Sequence, residues 1–149
     1  MVLTPGRPVV LRVAQRPATD RGGGILTTPM VTARVGSRQM LNGITVLAPG
    51  AAVPLHFHNC EESVLVLSGH GRAHVDGKAH DVGPGDVSWI PAGIAHFFRN
   101  TSADERFEIF WTYASVDATR TIVATGVTTR IDEEHGPADL RASATDGPA

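Results

Sequence analysis

A chain of 149 residues, 42% of them hydrophobic, can bury one core but is short for two. Its net charge of -2, with acidic and basic side chains interspersed, leaves no basic stripe for a phosphate backbone, and no apolar run is long enough to cross a bilayer as a helix. Nucleic acid and membrane are therefore not expected partners. A first segment broken by Pro5, Arg7, Pro8 and Arg12, and a single cysteine, Cys60, fit a cytoplasmic protein with no signal sequence and no internal disulfide.

In chain order, residues 1–24 read as an N-terminal arm, with Val9 to Val13 as one short strand and Arg21-Gly22-Gly23-Gly24 as a flexible hinge. From Ile25 onward, short apolar runs alternate with turn residues. Strands are predicted over Gly43 to Leu47, Ser63 to Leu67, Arg72 to Val75, Val87 to Ile90, Ala95 to Arg99 and Phe107 to Tyr113. This spacing predicts an all-β sandwich or barrel over residues 25–127. Asp76-Gly77 is the dipeptide of a two-residue type I′ hairpin, and Pro84-Gly85-Asp86 supplies a second turn. Residues 128–149 turn polar and are expected to form a largely disordered tail, with at most one helical turn at Asp132 to His135.

The chemistry concentrates in two glycine-bracketed segments. The first runs Gly50-x5-His56-x-His58-x3-Glu62-x6-Gly69 and the second Gly85-x5-Pro91-x-Gly93-x2-His96-x3-Asn100. On an extended chain, residues two apart share a face, so His56 and His58 point the same way. Three imidazoles and one carboxylate form a borderline ligand set, suited to one divalent transition metal per chain: Fe, Mn, Ni, Co, Cu or Zn. Glu62 fits the carboxylate role better by spacing than Glu61, which reads as a solvated turn residue. Strand alternation places His74 outward, and His70, His80 and His135 are read as surface residues.

The paired motifs resemble those of the cupin superfamily, including the glycines, Pro91 and Asn100. That resemblance implies a jelly-roll β-barrel, also described as a double-stranded β-helix, with His56, His58, Glu62 and His96 as inward-facing metal ligands. A cupin pocket is apolar apart from its metal, which makes Cys60, Trp89, Phe98 and Trp111 candidate pocket residues. Arg34 or Arg99 is a candidate anchor for an anionic substrate. The implied function is a mononuclear metal-dependent enzyme acting on a small organic metabolite. The first reading is an oxygenase, similar to quercetinase-like dioxygenases, that cleaves an enolisable or diketone-like substrate with Glu62 as catalytic base. The alternatives are a non-redox isomerase, lyase, decarboxylase or polyketide cyclase, and a small-ligand binding protein. Cupins commonly pair through sheet faces, so a homodimer is expected.

Overall fold

Leu41–Leu47 and Phe107–Tyr113 alternate buried and half-buried residues along their whole length, and they pair with each other in the computed structural model, which describes residues 6–135. Among the described residues there are twelve strands: β1 (Thr19–Asp20), β2 (Ile25–Pro29), β3 (Leu41–Leu47), β4 (His56–His58), β5 (Glu62–Ser68), β6 (Gly71–Val75), β7 (Lys78–Val82), β8 (Val87–Ile90), β9 (His96–Asn100), β10 (Phe107–Tyr113), β11 (Thr119–Ile122) and β12 (Thr128–Arg130). Short 3₁₀ turns span Val13–Gln15 and Asp132–His135.

The strands form two six-stranded sheets, ordered β1-β2-β3-β10-β5-β8 and β12-β11-β4-β9-β6-β7. Neighbours far apart in sequence, such as β3 with β10 and β4 with β11, give the antiparallel jelly-roll topology. Leu47, Val64, Ile90, Phe98, Phe107 and Ile109 fill the space between the sheets. Each fully buried side chain of this size contributes about 1.5–3 kcal/mol relative to exposure. In the first sheet Trp111 lies across Gly43, where an added Cβ would stand 2.5 Å from the indole ring. The glycine makes room for the ring to pack against the backbone at this position. Asp76 (φ 51°) and Gly77 (φ 78°) are both left-handed, as the β6–β7 hairpin requires.

Three local expectations are corrected. Val9 to Val13 makes no strand: Val10 and Val13 are exposed, and the chain instead closes a 3₁₀ turn at Val13–Gln15. Arg21 to Gly24 is a fixed turn between β1 and β2 rather than a hinge. The Arg21 N–H donates to Ile25 O at 2.9 Å and the Gly22 N–H donates to Asp20 Oδ1 at 2.9 Å. The sheet also continues past residue 127: β12 pairs with β11, and Ile131 is buried with its N–H donating to Ala118 O at 2.9 Å. One apolar side chain anchors a segment whose average composition is polar. The rest of the expected tail, 136–149, and the first five residues of the arm lie outside the described residues. Among the described residues no helix is long and apolar enough to cross a membrane.

Candidate metal centre

The two-residue period of β4 turns both His56 and His58 to the inner face of the second sheet, and antiparallel pairing sets His96 of β9 directly opposite His56. Glu62 opens β5 in the facing sheet, so its carboxylate meets the imidazoles across the barrel. One ligand atom from each of these four buried residues lies within 4.8 Å of the others. The three rings are held in place from behind. His56 Nδ1 contacts Pro54 O at 2.6 Å, His58 Nδ1 contacts Thr119 O at 2.8 Å and His96 Nδ1 contacts Ile94 O at 2.8 Å. A carbonyl only accepts, so each Nδ1 carries a proton and each ring turns its Nε2 toward the centre.

At that centre, His96 Nε2 stands 2.8 Å and His58 Nε2 3.1 Å from Glu62 Oε2. Lone pairs on nitrogen and carboxylate oxygen at such distances need a cation among them, either a proton or a metal ion. His58 Nε2 is buried and off the hydrogen-bonding direction, which leaves it without a hydrogen-bond partner. An ion accepting several donors at once satisfies such an atom, so the residues present fit a divalent transition metal. Burial, reinforced by the neighbouring His96 and His58, lowers the His56 pKa to about 3, so this ring stays neutral and available as a ligand. Burial acts to raise the pKa of Glu62, but the imidazoles of His58 and His96 outweigh it and leave the group at about 2. Burial, and then the charge of Glu62, raise the Tyr113 phenol well above its ordinary value, so it keeps its proton.

Beside the tetrad is a cavity of about 30 Å³. Phe98, Trp111, Tyr113, Thr45, Arg21 and Arg120 are among the residues that line it. Its wall is ordered by a polar chain: Trp111 Nε1 donates to Thr45 Oγ1 at 2.8 Å, and that hydroxyl lies 3.0 Å from Thr27 Oγ1. Of the four pocket residues expected from sequence, Phe98 and Trp111 line this cavity, while Cys60 and Trp89 do not. Cys60 is half-buried against the core, and burial raises its thiol pKa. Trp89 is 64% exposed on the outside of β8, with Nε1 donating to Glu61 Oε1 at 3.0 Å. It borders an open groove, which Glu62 and Tyr113 also reach.

Arg34 and Arg99 are exposed and line neither space, so neither is placed to anchor a substrate here. His70 and His80 are exposed, and His74 is half-buried with its ring stacked on Phe97 at 4.1 Å. The cationic residues at the cavity are instead Arg21 and Arg120, with the carboxylate of Glu134 opposing them. A signal for Arg120 was present in the sequence. It shares parity with Ala118 in a strand-like stretch, and a charge on the inward parity of a strand is unusual.

The cupin-domain family model matches residues 43–113, which carry all four residues of the tetrad. Protein SchB of Streptomyces halstedii is 30% identical over 95 residues, covering 63% of this chain and 69% of SchB. The chain is a cupin. A second relative of this cupin, polyketide synthase CurC of Streptomyces cyaneus, is 29% identical over 105 residues, covering 70% of the chain and 68% of CurC. The cupin thus spans about two thirds of the length of both curated relatives. Among solved structures, the polyketide cyclase RemF from Streptomyces resistomycificus shares its fold with a TM-score of 0.68 at 17% identity, over 91% of this chain and 92% of RemF.

Proposed function

We propose that this cupin is a metal-dependent enzyme acting on a small, enolisable organic molecule, and that its reaction is a non-redox cyclisation of the polyketide type. The observation that carries the metal-dependent reading is the orientation of the three imidazoles. Each Nδ1 is committed to a backbone carbonyl, so three Nε2 atoms converge with Glu62 beside an apolar, aromatic-walled cavity. The cyclase reading draws further support from CurC, which is named as a polyketide synthase.

His56, His58, Glu62 and His96 would hold the metal. When bound, a divalent ion supplies Lewis acidity that stabilises an enolate. Phe98 and Trp111 present ring surface that excludes water and aligns a planar substrate. Tyr113, with its ring 4.6 Å from that of His58, keeps its proton and donates a hydrogen bond to a substrate oxygen. Glu62 acts as a base only when its carboxylate leaves the imidazoles that hold its pKa at about 2.

The test is turnover of β-polyketone and diketone substrates by protein reconstituted with each of Fe, Mn, Ni, Co, Cu and Zn, with and without dioxygen. Cyclised product forming equally well without dioxygen is the expected result. A strict requirement for dioxygen replaces this reading with the oxygenase, which uses the same four residues, and ligand binding without turnover replaces it with a binding protein. We further propose a homodimer formed through the outer face of the first sheet, where Leu26, Leu67, Val87 and Trp89 are exposed. Sedimentation of Trp89→Glu as a monomer beside a dimeric parent is the expected outcome, and a monomeric parent refutes it.

A further inference from the structure

The cavity contains two guanidinium groups that the tetrad does not use. Arg120 of β11 stands in register with His58 and is only 7% exposed. Directly opposed residues share a sheet face with Cβ atoms about 5 Å apart, so Arg120 is the immediate lateral neighbour of a metal-ligand position. Its Nη1 donates to Glu134 Oε2 at 2.8 Å, while its buried Nε has no hydrogen-bond partner. Arg21 reaches the same oxygen from the β1–β2 turn of the opposite sheet, with Nη2 at 3.5 Å. Glu134 therefore shares one oxygen between two arginines and leaves the Nε donor of Arg120 unmet.

A buried guanidinium donor without an acceptor is unfavourable, and the planar edge of Nε with its neighbouring Nη nitrogen matches both oxygens of a carboxylate. Charge balance favours the same ligand. With a divalent ion on the tetrad, the two guanidinium groups and the ion outweigh Glu62 and Glu134, so the cavity is positive. An anion lowers that charge in this enclosure, whereas a neutral ketone or phenol does not. The cavity of about 30 Å³ has space for only about two waters. Glu134 of the last described turn and the adjoining Ile131 are among the residues that line it, and admitting a larger molecule requires the lining to move.

We propose that Arg120, assisted by Arg21, binds a carboxylate on the substrate through the Nε edge that Glu134 leaves open, and that the charge of Glu134 opposes this binding. The substrate class is accordingly an enolisable carboxylic acid. This inference rests on the proposed function only in placing the substrate inside the barrel.

The test is calorimetric binding of benzoate and of its neutral analogue benzamide to the full chain, without metal and then with metal. The metal-free arm matters because a carboxylate can also bind an ion directly, and only binding at the arginines survives removal of the metal. The expected result is benzoate binding at least tenfold tighter than benzamide to metal-free protein. Glu134→Gln, which removes the competing charge, tightens benzoate at least tenfold and leaves benzamide unchanged. Arg120→Gln abolishes the preference, and in combination with Glu134→Gln it does so with a neutral hydrogen-bonded pair in place of the ion pair. If Arg120→Gln does not fold, the double variant and Arg120→Lys carry the test, the lysine weakening the preference through loss of the planar fork. Equal affinity for benzoate and benzamide, or a preference that survives loss of the guanidinium, overturns the inference. Metal bound per chain is measured alongside. Its absence with the benzoate preference intact defeats the proposed function alone, and its presence without that preference defeats this inference alone.

Discussion

The backbone carbonyls of Pro54, Thr119 and Ile94 determine what the three histidines can do, because each fixes a tautomer and a ring plane. The Thr119 carbonyl comes from β11, about sixty residues from His58, so the tertiary fold itself aims that ligand. His58→Ala is expected to weaken metal binding by more than the ~10–100-fold typical of losing an outer-shell partner. Metal bound per chain, measured after dialysis, checks this, and unchanged stoichiometry and affinity would remove His58 from the site. Cys60, two residues away in sequence, gives the opposite expectation. Cys60 packs against the core and is not among the cavity's lining residues, and burial raises its pKa, so Cys60→Ser should bind metal as the parent does. A loss of metal in that variant would place the sulfur at the ion.

Asn100 shows how one polar side chain holds an element in position. Its amide donates to Leu47 O at 3.0 Å and Glu105 O at 2.7 Å, and its Oδ1 accepts from the Ser102 N–H at 2.9 Å. It ties the end of β9 to β3 and fixes the loop into β10. Asn100→Ala leaves these buried groups unmet and should cost about 3 kcal/mol, read as a lower denaturant midpoint at unchanged slope. Asn100→Asp should not restore the loss, since a carboxylate cannot donate to two carbonyls. The limits of β8 and β10, the Asp76-Gly77 turn and the shared face of His56 and His58 were legible in the sequence because each depends on local periodicity or local backbone geometry. Trp89 was also legible by alternation, being next to the inward Ile90, but its size and apolar character argued for the interior. The Arg21–Glu134–Arg120 cluster was not legible. It joins a glycine turn, a mostly polar strand and a polar 3₁₀ turn, and no local pattern predicts which distant charges a barrel end brings together.

Taken as a whole, the barrel gathers polar and ionisable groups at the centre of its interior, and its acid stability follows from that placement. In the folded, metal-free protein His56 takes up a proton only near pH 3, whereas in the unfolded chain it does so near 6.5. Between those values the unfolded state binds more protons, so lowering the pH favours unfolding. Glu62 acts in the same direction, since it protonates near 2 when folded and near 4.5 when unfolded. Stability should therefore be retained above about pH 6.5 and decline as the pH falls, first through His56 and then through both groups, by up to about 1.4 kcal/mol per pH unit for each proton. Urea unfolding of metal-free protein at pH 7.5 and pH 5 measures this, and His56→Gln should flatten the part of the slope that begins near 6.5. Metal acts through the same atoms, because an ion held by the three Nε2 atoms and Glu62 competes with those protons. At one hundred times its dissociation constant, it should add about 2.7 kcal/mol at pH 7.5. At a fixed free metal concentration this gain should shrink as the pH falls toward 3, where His56 in the folded site takes up a proton that must leave before the ion binds. If the gain stays the same as the pH is lowered toward 3, the ion is bound somewhere other than at these imidazoles.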